Sequence, residues 1–305
     1  MKNACITTIN CDYTYDILRE DFKNLCAEYS FLEAGTIGKS VLGKDILSLK
    51  FGVGRKKILL VGAHHGKEWI TSMLLMAITE NLSYLYQEKN RFSETDICSF
   101  FQKNTVYVIP MLNPDGVGLC INGLTEDIPI FLRSRLIGMN GGSKDFIGKW
   151  QANIHGVDLN HNYDAFFEKG KTLAFANGIY GPGPTQFSGE HPESEPESRA
   201  LAEFTREILP DIAIAYHAQG EEIFYRFNGH CPKKSAPISN LLSTKTGYRL
   251  IDASGLTDCS GYKDWVIQQF DIPAFTIEVG KGENPLPLSQ FPKIFSENFS
   301  AVVAL

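Results

Sequence analysis

Along the chain, short runs of apolar, β-branched and aromatic residues alternate with stretches whose apolar positions recur every three to four residues. The runs KILLVGA (57–63), TVYVIPML (105–112), DIAIAYH (211–217) and PAFTIEV (273–279) have strand length and end in polar or glycine-containing sequence. After the first run, Ile70, Met73, Leu74, Ala77, Ile78, Leu82 and Leu85 form one apolar stripe at helical spacing. SEPESRALAEFTREIL (194–209) opens with acidic residues suited to a helix N-terminus and stops at Pro210, and YKDWVIQQF leads as a further helix into the last strand. This alternation predicts an α/β fold, a largely parallel or mixed sheet covered by helices.

Two segments break the pattern. Residues 116–156 and the glycine-proline stretch GIYGPGPTQFSGEHPESEP have weak periodicity and read as long loops, which in a compact domain usually form functional walls or lids. No internal repeat, low-complexity segment or linker divides the chain, so one domain spanning 1–305 is expected.

Composition narrows the classes. With 305 residues, 43% of them hydrophobic, the chain can bury a large core. A net charge of −6 without a lysine-arginine block argues against a nucleic-acid partner. No run approaches the roughly 20 apolar residues of a membrane span, and the first residues lack the apolar core and small-residue cleavage site of a secretory signal. Cys5, Cys11, Cys26, Cys98, Cys120, Cys231 and Cys259 are scattered without a CxxC pair, which indicates neither a disulfide framework nor a cysteine-held zinc. A cytoplasmic protein with no obligate protein partner is the expectation.

In open α/β sheets, ligands collect beyond the carboxyl ends of the strands. The first run delivers His65 and Glu68 there, the third His217, and the fourth Glu278. Two imidazoles and a carboxylate close three corners of a tetrahedral zinc site and leave the fourth for water or substrate. Taken singly, Glu68 reads equally well as a helix-start carboxylate and His217 as a hydrogen-bonded core histidine. Glu278 inside AFTIEVG is harder to bury unpaired. The combination at three strand ends is what makes the pattern specific.

The motifs GAHHGKEWI, NPDG, GVDLNHNYD, IAYHAQGEE and FTIEVGKG occur in the order and approximate spacing of the zinc carboxypeptidase superfamily, and the opening TYDILREDFKNL is also similar to the start of that catalytic domain. The resemblance implies a three-layer α/β/α sandwich around a mixed, about eight-stranded sheet. It implies one Zn²⁺ held by His65, Glu68 and His217, with Glu278 as general base and then general acid. Asp158 corresponds to the aspartate that holds the first histidine through its other ring nitrogen, and Asn160 to a contact with the substrate carboxylate. His64 is expected to face the core or act as a hydrogen-bond partner.

The departures bear on substrate. Where the pancreatic enzymes carry an arginine that clamps the C-terminal carboxylate, this chain has His161, which lacks the bidentate fork. Gln151 follows the tryptophan where those enzymes place the oxyanion arginine, leaving Arg133, Arg135 or Lys149 as other sources of charge, and Leu256 falls at the position of their covering tyrosine. Lys263 falls at the pocket floor, where a cation favours a substrate with an additional carboxylate; a lysine lying along a helix surface is the competing reading. Glu221, Glu222, His191 and His230 are expected in solvated loops.

These features resemble a bacterial branch, the γ-D-glutamyl-meso-diaminopimelate peptidases, which implies a small murein peptide as substrate. A conventional metallocarboxypeptidase and a catalytically silent peptide-binding protein of the same fold are the alternatives.

Overall fold

The computed structural model describes residues 5–252 and 259–305; Leu256 lies outside the described residues. Its strands are β1 (Glu33–Lys39), β2 (Asp45–Phe51), β3 (Lys56–Val61), β4 (Arg91–Phe92), β5 (Thr95–Asp96), β6 (Asn104–Ile109), β7 (Ile212–His217), β8 (Glu222–Phe224), β9 (Arg249–Ile251) and β10 (Ala274–Glu278). Its helices are α1 (Tyr15–Glu28), α2 (Ile70–Gln87), α3 (Ile97–Lys103), α4 (Pro114–Asn122), α5 (Ile130–Met139), α6 (Phe167–Ala176), α7 (Pro196–Ile208), α8 (Ser235–Thr246), α9 (Tyr262–Phe270) and α10 (Phe291–Val303).

The four apolar runs became the centre of one eight-stranded sheet in the order β1-β2-β6-β3-β7-β10-β8-β9, with β4 and β5 forming a separate hairpin. The central strands β6, β3, β7 and β10 are parallel, and β2 and β8 flank them antiparallel, so the sheet is mixed as expected. Both faces are buried, which explains why these strands read as continuous apolar runs. Ile58 and Leu60 of β3, Ile212 and Ile214 of β7, and Phe275 and Ile277 of β10 point into one core, where α1, α2 and α10 contribute Leu18, Met73 and Phe299. Leu59, Val61, Ala213, Ala215 and Ala274 point into the other, closed by Leu201 and Ile208 of α7 and by Trp265 and Val266 of α9. Alternation along each strand therefore builds the three layers.

The expected helix in 194–209 runs from Pro196, and the one in YKDWVIQQF is α9. The glycine-proline stretch up to Pro196 carries neither strand nor helix. Residues 116–156, expected as a long loop, instead hold most of α4 and all of α5. α5 packs on a satellite cluster of Leu119, Leu132, Leu136, Phe146 and Trp150 away from the sheet, while α4 is split between that cluster and the main core, which it enters through Val117, so each shows only a short apolar face to either. That is too little for a helical period to stand out.

Candidate active site

The site is built where three parallel strands end. The β7–β10 register sets Glu278 directly beside His217. After β3 the backbone leaves the sheet through Ala63 at φ 46°, a strained conformation for a residue with a side chain, and Ala63 N–H donates to Thr71 Oγ1 at 2.8 Å. A short 3₁₀ turn, Gly66–Glu68, then brings Glu68 back over His65. A Cβ on Gly66 would stand 2.5 Å from the Gly116 carbonyl oxygen, so only glycine lets the turn pass that backbone.

The three expected ligands converge. His65 Nδ1 lies 2.9 Å from Glu68 Oε1 and 3.2 Å from His217 Nδ1, and His217 Nδ1 lies 3.0 Å from Glu68 Oε2. A tetrahedral ion with bonds of about 2.0–2.1 Å has ligand edges of about 3.3 Å, so the donor atoms are spaced to share one such ion. All three residues are buried. Burial opposes ionisation of Glu68, yet the charges of His65 and His217 outweigh it and hold this carboxyl below its ordinary range.

Asp158 orients His65, the first of the expected ligands. Its Oδ1 accepts from His65 Nε2 at 3.0 Å, which leaves Nδ1 with its lone pair toward Glu68 and His217. Its Oδ2 accepts from Gln186 N and Gln151 Nε2, each at 2.9 Å, and from Thr185 Oγ1 at 3.3 Å. Burial disfavours the Asp158 anion, but His65 and His161 override it and keep the carboxyl well below the usual range. Gln151, expected to face the substrate oxyanion, is thus placed where its amide steadies Asp158. Lys149 is exposed and paired with Asp145, Arg135 is exposed, and Arg133 is half-buried on α5 with Nε unpartnered.

His64 faces inward: its ring stacks on His217 at 5.2 Å between centroids, and its Nε2 lies 3.3 Å from the Tyr163 hydroxyl. Asn284 Nδ2 reaches Glu68 Oε1 at 3.3 Å and also donates to the Ala218 carbonyl, a contact with no local sequence signal. Asn113 of NPDG donates to the carbonyls of His64 (3.1 Å) and Ala152 (3.2 Å), tying the ligand turn to the segment that leads to Asp158.

A cavity enclosing about 590 Å³, its mouth included, opens at the ligands and is lined by His65, Glu278, Asn160, His161, Lys263 and Asp264 among others. Burial raises the Glu278 carboxyl well above its usual range, and the Glu68 carboxylate raises it further against the opposing charge of His65. Asn160 Oδ1 accepts from Tyr262 N at 3.0 Å, which leaves its amide group for the cavity, and His161 Nδ1 is buried without a partner. Lys263 is only 4% exposed, so it does not lie along a helix surface. Its ammonium pairs with Asp264 and donates to the Arg226 carbonyl at 2.5 Å.

Glu221 is taken up by Lys281 and Lys293, Glu222 by Arg249 and His230 by Asp271, while His191 sits at the exposed surface. Among the described residues, no helix is long and apolar enough to cross a membrane.

A family model described as zinc carboxypeptidase matches residues 18–301. The chain is 35% identical over 293 residues to gamma-D-glutamyl-L-diamino acid endopeptidase 1 of Lysinibacillus sphaericus, covering 96% of this chain and 72% of that one. Its fold is similar to that of thrombin activatable fibrinolysis inhibitor, with a TM-score of 0.73 at 17% identity over 99% of this chain and 78% of the other. It is also similar to that of murein-tripeptide amidase MpaA from Escherichia coli O157, with a TM-score of 0.57 at 18% identity over 89% and 92%.

Proposed function

The chain belongs to the zinc carboxypeptidase family and is a zinc-dependent hydrolase, and from that premise we propose that it cleaves the bond between γ-D-glutamate and meso-diaminopimelate in small murein peptides as one catalytic domain. The observation that carries this reading is the buried Lys263 in the cavity that also holds His65 and Glu278, a cation placed for a substrate with a carboxylate beyond the ordinary C-terminal one. The similarity to an endopeptidase acting between γ-D-glutamate and a diamino acid supports it.

His65, Glu68 and His217 are the residues that would hold a single zinc ion. When bound, such an ion polarises the scissile carbonyl and acidifies the attacking water. Glu278 takes the proton of that water and hands it to the leaving amine nitrogen. Asp158 holds the His65 ring, with Gln151 bracing Asp158. Asn160 and His161 donate to the carboxylate next to the leaving nitrogen. His161 offers no bidentate fork there, which disfavours tight selection of ordinary C-terminal residues. The scattered cysteines, without a CxxC pair, support a reducing compartment, and we place the activity in the cytoplasm, to be checked by cell fractionation.

Mass-spectrometric analysis after incubation of the zinc-loaded protein with L-Ala-γ-D-Glu-meso-diaminopimelate tests the reading. Release of free diaminopimelate and L-Ala-D-Glu, abolished by a chelator, is expected. Faster cleavage of ordinary C-terminal dipeptides would establish a conventional carboxypeptidase instead, and no turnover of either with zinc retained would establish a binding protein.

A further inference from the structure

The loop that follows β10 returns to the expected ligands at Asn284, and its backbone is fixed on both sides of that point. Gly220 N–H donates to the Gly280 carbonyl at 2.8 Å, and Gln290 brackets Lys281, accepting from its N–H at 3.0 Å and donating to its carbonyl at 2.7 Å. Leu286 is buried in the core that the sheet shares with α10. Between these anchors the Asn284 side chain makes two bonds, one to Glu68 Oε1 at 3.3 Å and one to the carbonyl of Ala218, the residue after His217. Both partners only accept, so the amide must turn its NH₂ group to them, with one N–H for each.

The bond to Glu68 fills a place that the other neighbours of this carboxylate cannot. Its two remaining polar contacts are the Nδ1 atoms of His65 and His217. As ligands, both imidazoles would turn lone pairs toward an ion and have no proton to give there. Asp158 already holds His65 in that form by accepting from Nε2. Among the described residues, Asn284 is the donor left to the Glu68 carboxylate once both rings face an ion. We infer that Asn284 is a positioning residue for the metal site, holding the Glu68 carboxylate in its ligating orientation and tying it to the strand end that carries His217. Asn284 does for Glu68 what Asp158 does for His65. A ligand side chain held in place beforehand gives up less freedom when the ion binds, which raises affinity. This role goes beyond the choice of peptide and rests on the ligand set proposed above.

The test is zinc affinity, read by competition with a chromogenic chelator, for wild type, Asn284→Ala, Asn284→Leu and the double variants of each with Glu68→Ala. Asn284→Leu removes the amide while nearly keeping its volume. Each Asn284 variant is expected to bind zinc about 10–100-fold more weakly than wild type. In the Glu68→Ala background the same substitutions should change the affinity by less than about twofold, because the group through which Asn284 acts is gone. A merely structural side chain would lower the melting temperature of the metal-free protein and leave zinc affinity unchanged, and that result overturns the inference. So do an equal loss in both backgrounds, a loss in Asn284→Ala alone, which would assign the effect to lost volume, and failure of both variants to fold. Undiminished zinc affinity in Glu68→Ala would instead sink the ligand set itself. Failure to cleave murein peptides would sink the proposed substrate and leave these affinities as they are.

Discussion

Glu278, half-buried, and Asp158, fully buried, are both carboxylates at the candidate metal site, yet their surroundings push them in opposite directions. Glu278 lies against the Glu68 carboxylate in the cavity wall, while Asp158 is surrounded by the His65 ring, the Gln151 amide, the Thr185 hydroxyl and backbone N–H groups. The first is suited to moving a proton and the second to holding a ring. Replacing Glu278 by Gln is expected to lower kcat by roughly 10²–10⁴-fold while zinc content, measured by mass spectrometry of the metal, stays at the wild-type level. Loss of zinc in that variant would mean that Glu278 supports the ligands instead. For Asp158→Asn the expected change is a fall of about 10–100-fold in zinc affinity, read by competition with a chromogenic chelator. The His65–Glu68 spacing was legible in the sequence because a three-residue turn is local. The Asn284 contact to Glu68 was not, since 216 positions separate the two.

At the scale of elements, NPDG shows how a short motif does two jobs. Asn113 Oδ1 accepts from Gly116 N at 2.9 Å and caps α4, whose first residue Pro114 has a preset φ and no donor to satisfy. Its amide meanwhile joins the His64 carbonyl to the Ala152 carbonyl. Asn113→Ala removes the cap and leaves buried carbonyls short of a partner, which should destabilise the protein by about 2–3 kcal/mol in denaturant unfolding. An effect below about 0.5 kcal/mol would show that water replaces both ties. The strands were readable from their apolar runs, and α2, α7 and α9 from their stripes or end signals. α5 escaped because it packs on a small cluster away from the sheet, where few apolar positions are required, and α4 because its apolar positions are divided between that cluster and the main core.

The molecule as a whole is joined partly through buried charge. Glu197 at the start of α7 accepts from Val41 N after β1 at 3.1 Å and from Asn153 Nδ2 at 3.1 Å, and it faces Asp115 of α4, which in turn lies 3.4 Å from Lys44. Asn153 also bonds Glu195, the partner of His155. Burial, with the Asp115 charge adding to it, pushes the Glu197 carboxyl up from 4.5 to about 7. The folded state therefore binds this proton more tightly than the unfolded chain, and stability falls as pH rises from about 4.5 to about 7, by up to about 3 kcal/mol. Unfolding midpoints of wild type and Glu197→Gln across this range check it: the variant should show a smaller decline, and parallel curves would assign the decline to other groups. The sequence by itself determined the central strands and which residues stand at their ends, His65, Glu68, His217 and Glu278 among them, because periodicity and strand ends are properties of a few consecutive positions. Only the tertiary structure decided that Gln151 serves Asp158, that Lys263 is buried against Asp264, and that Glu197 joins separate elements. Each of those depends on which polar groups burial brings together from distant parts of the chain, and no local spacing encodes that choice.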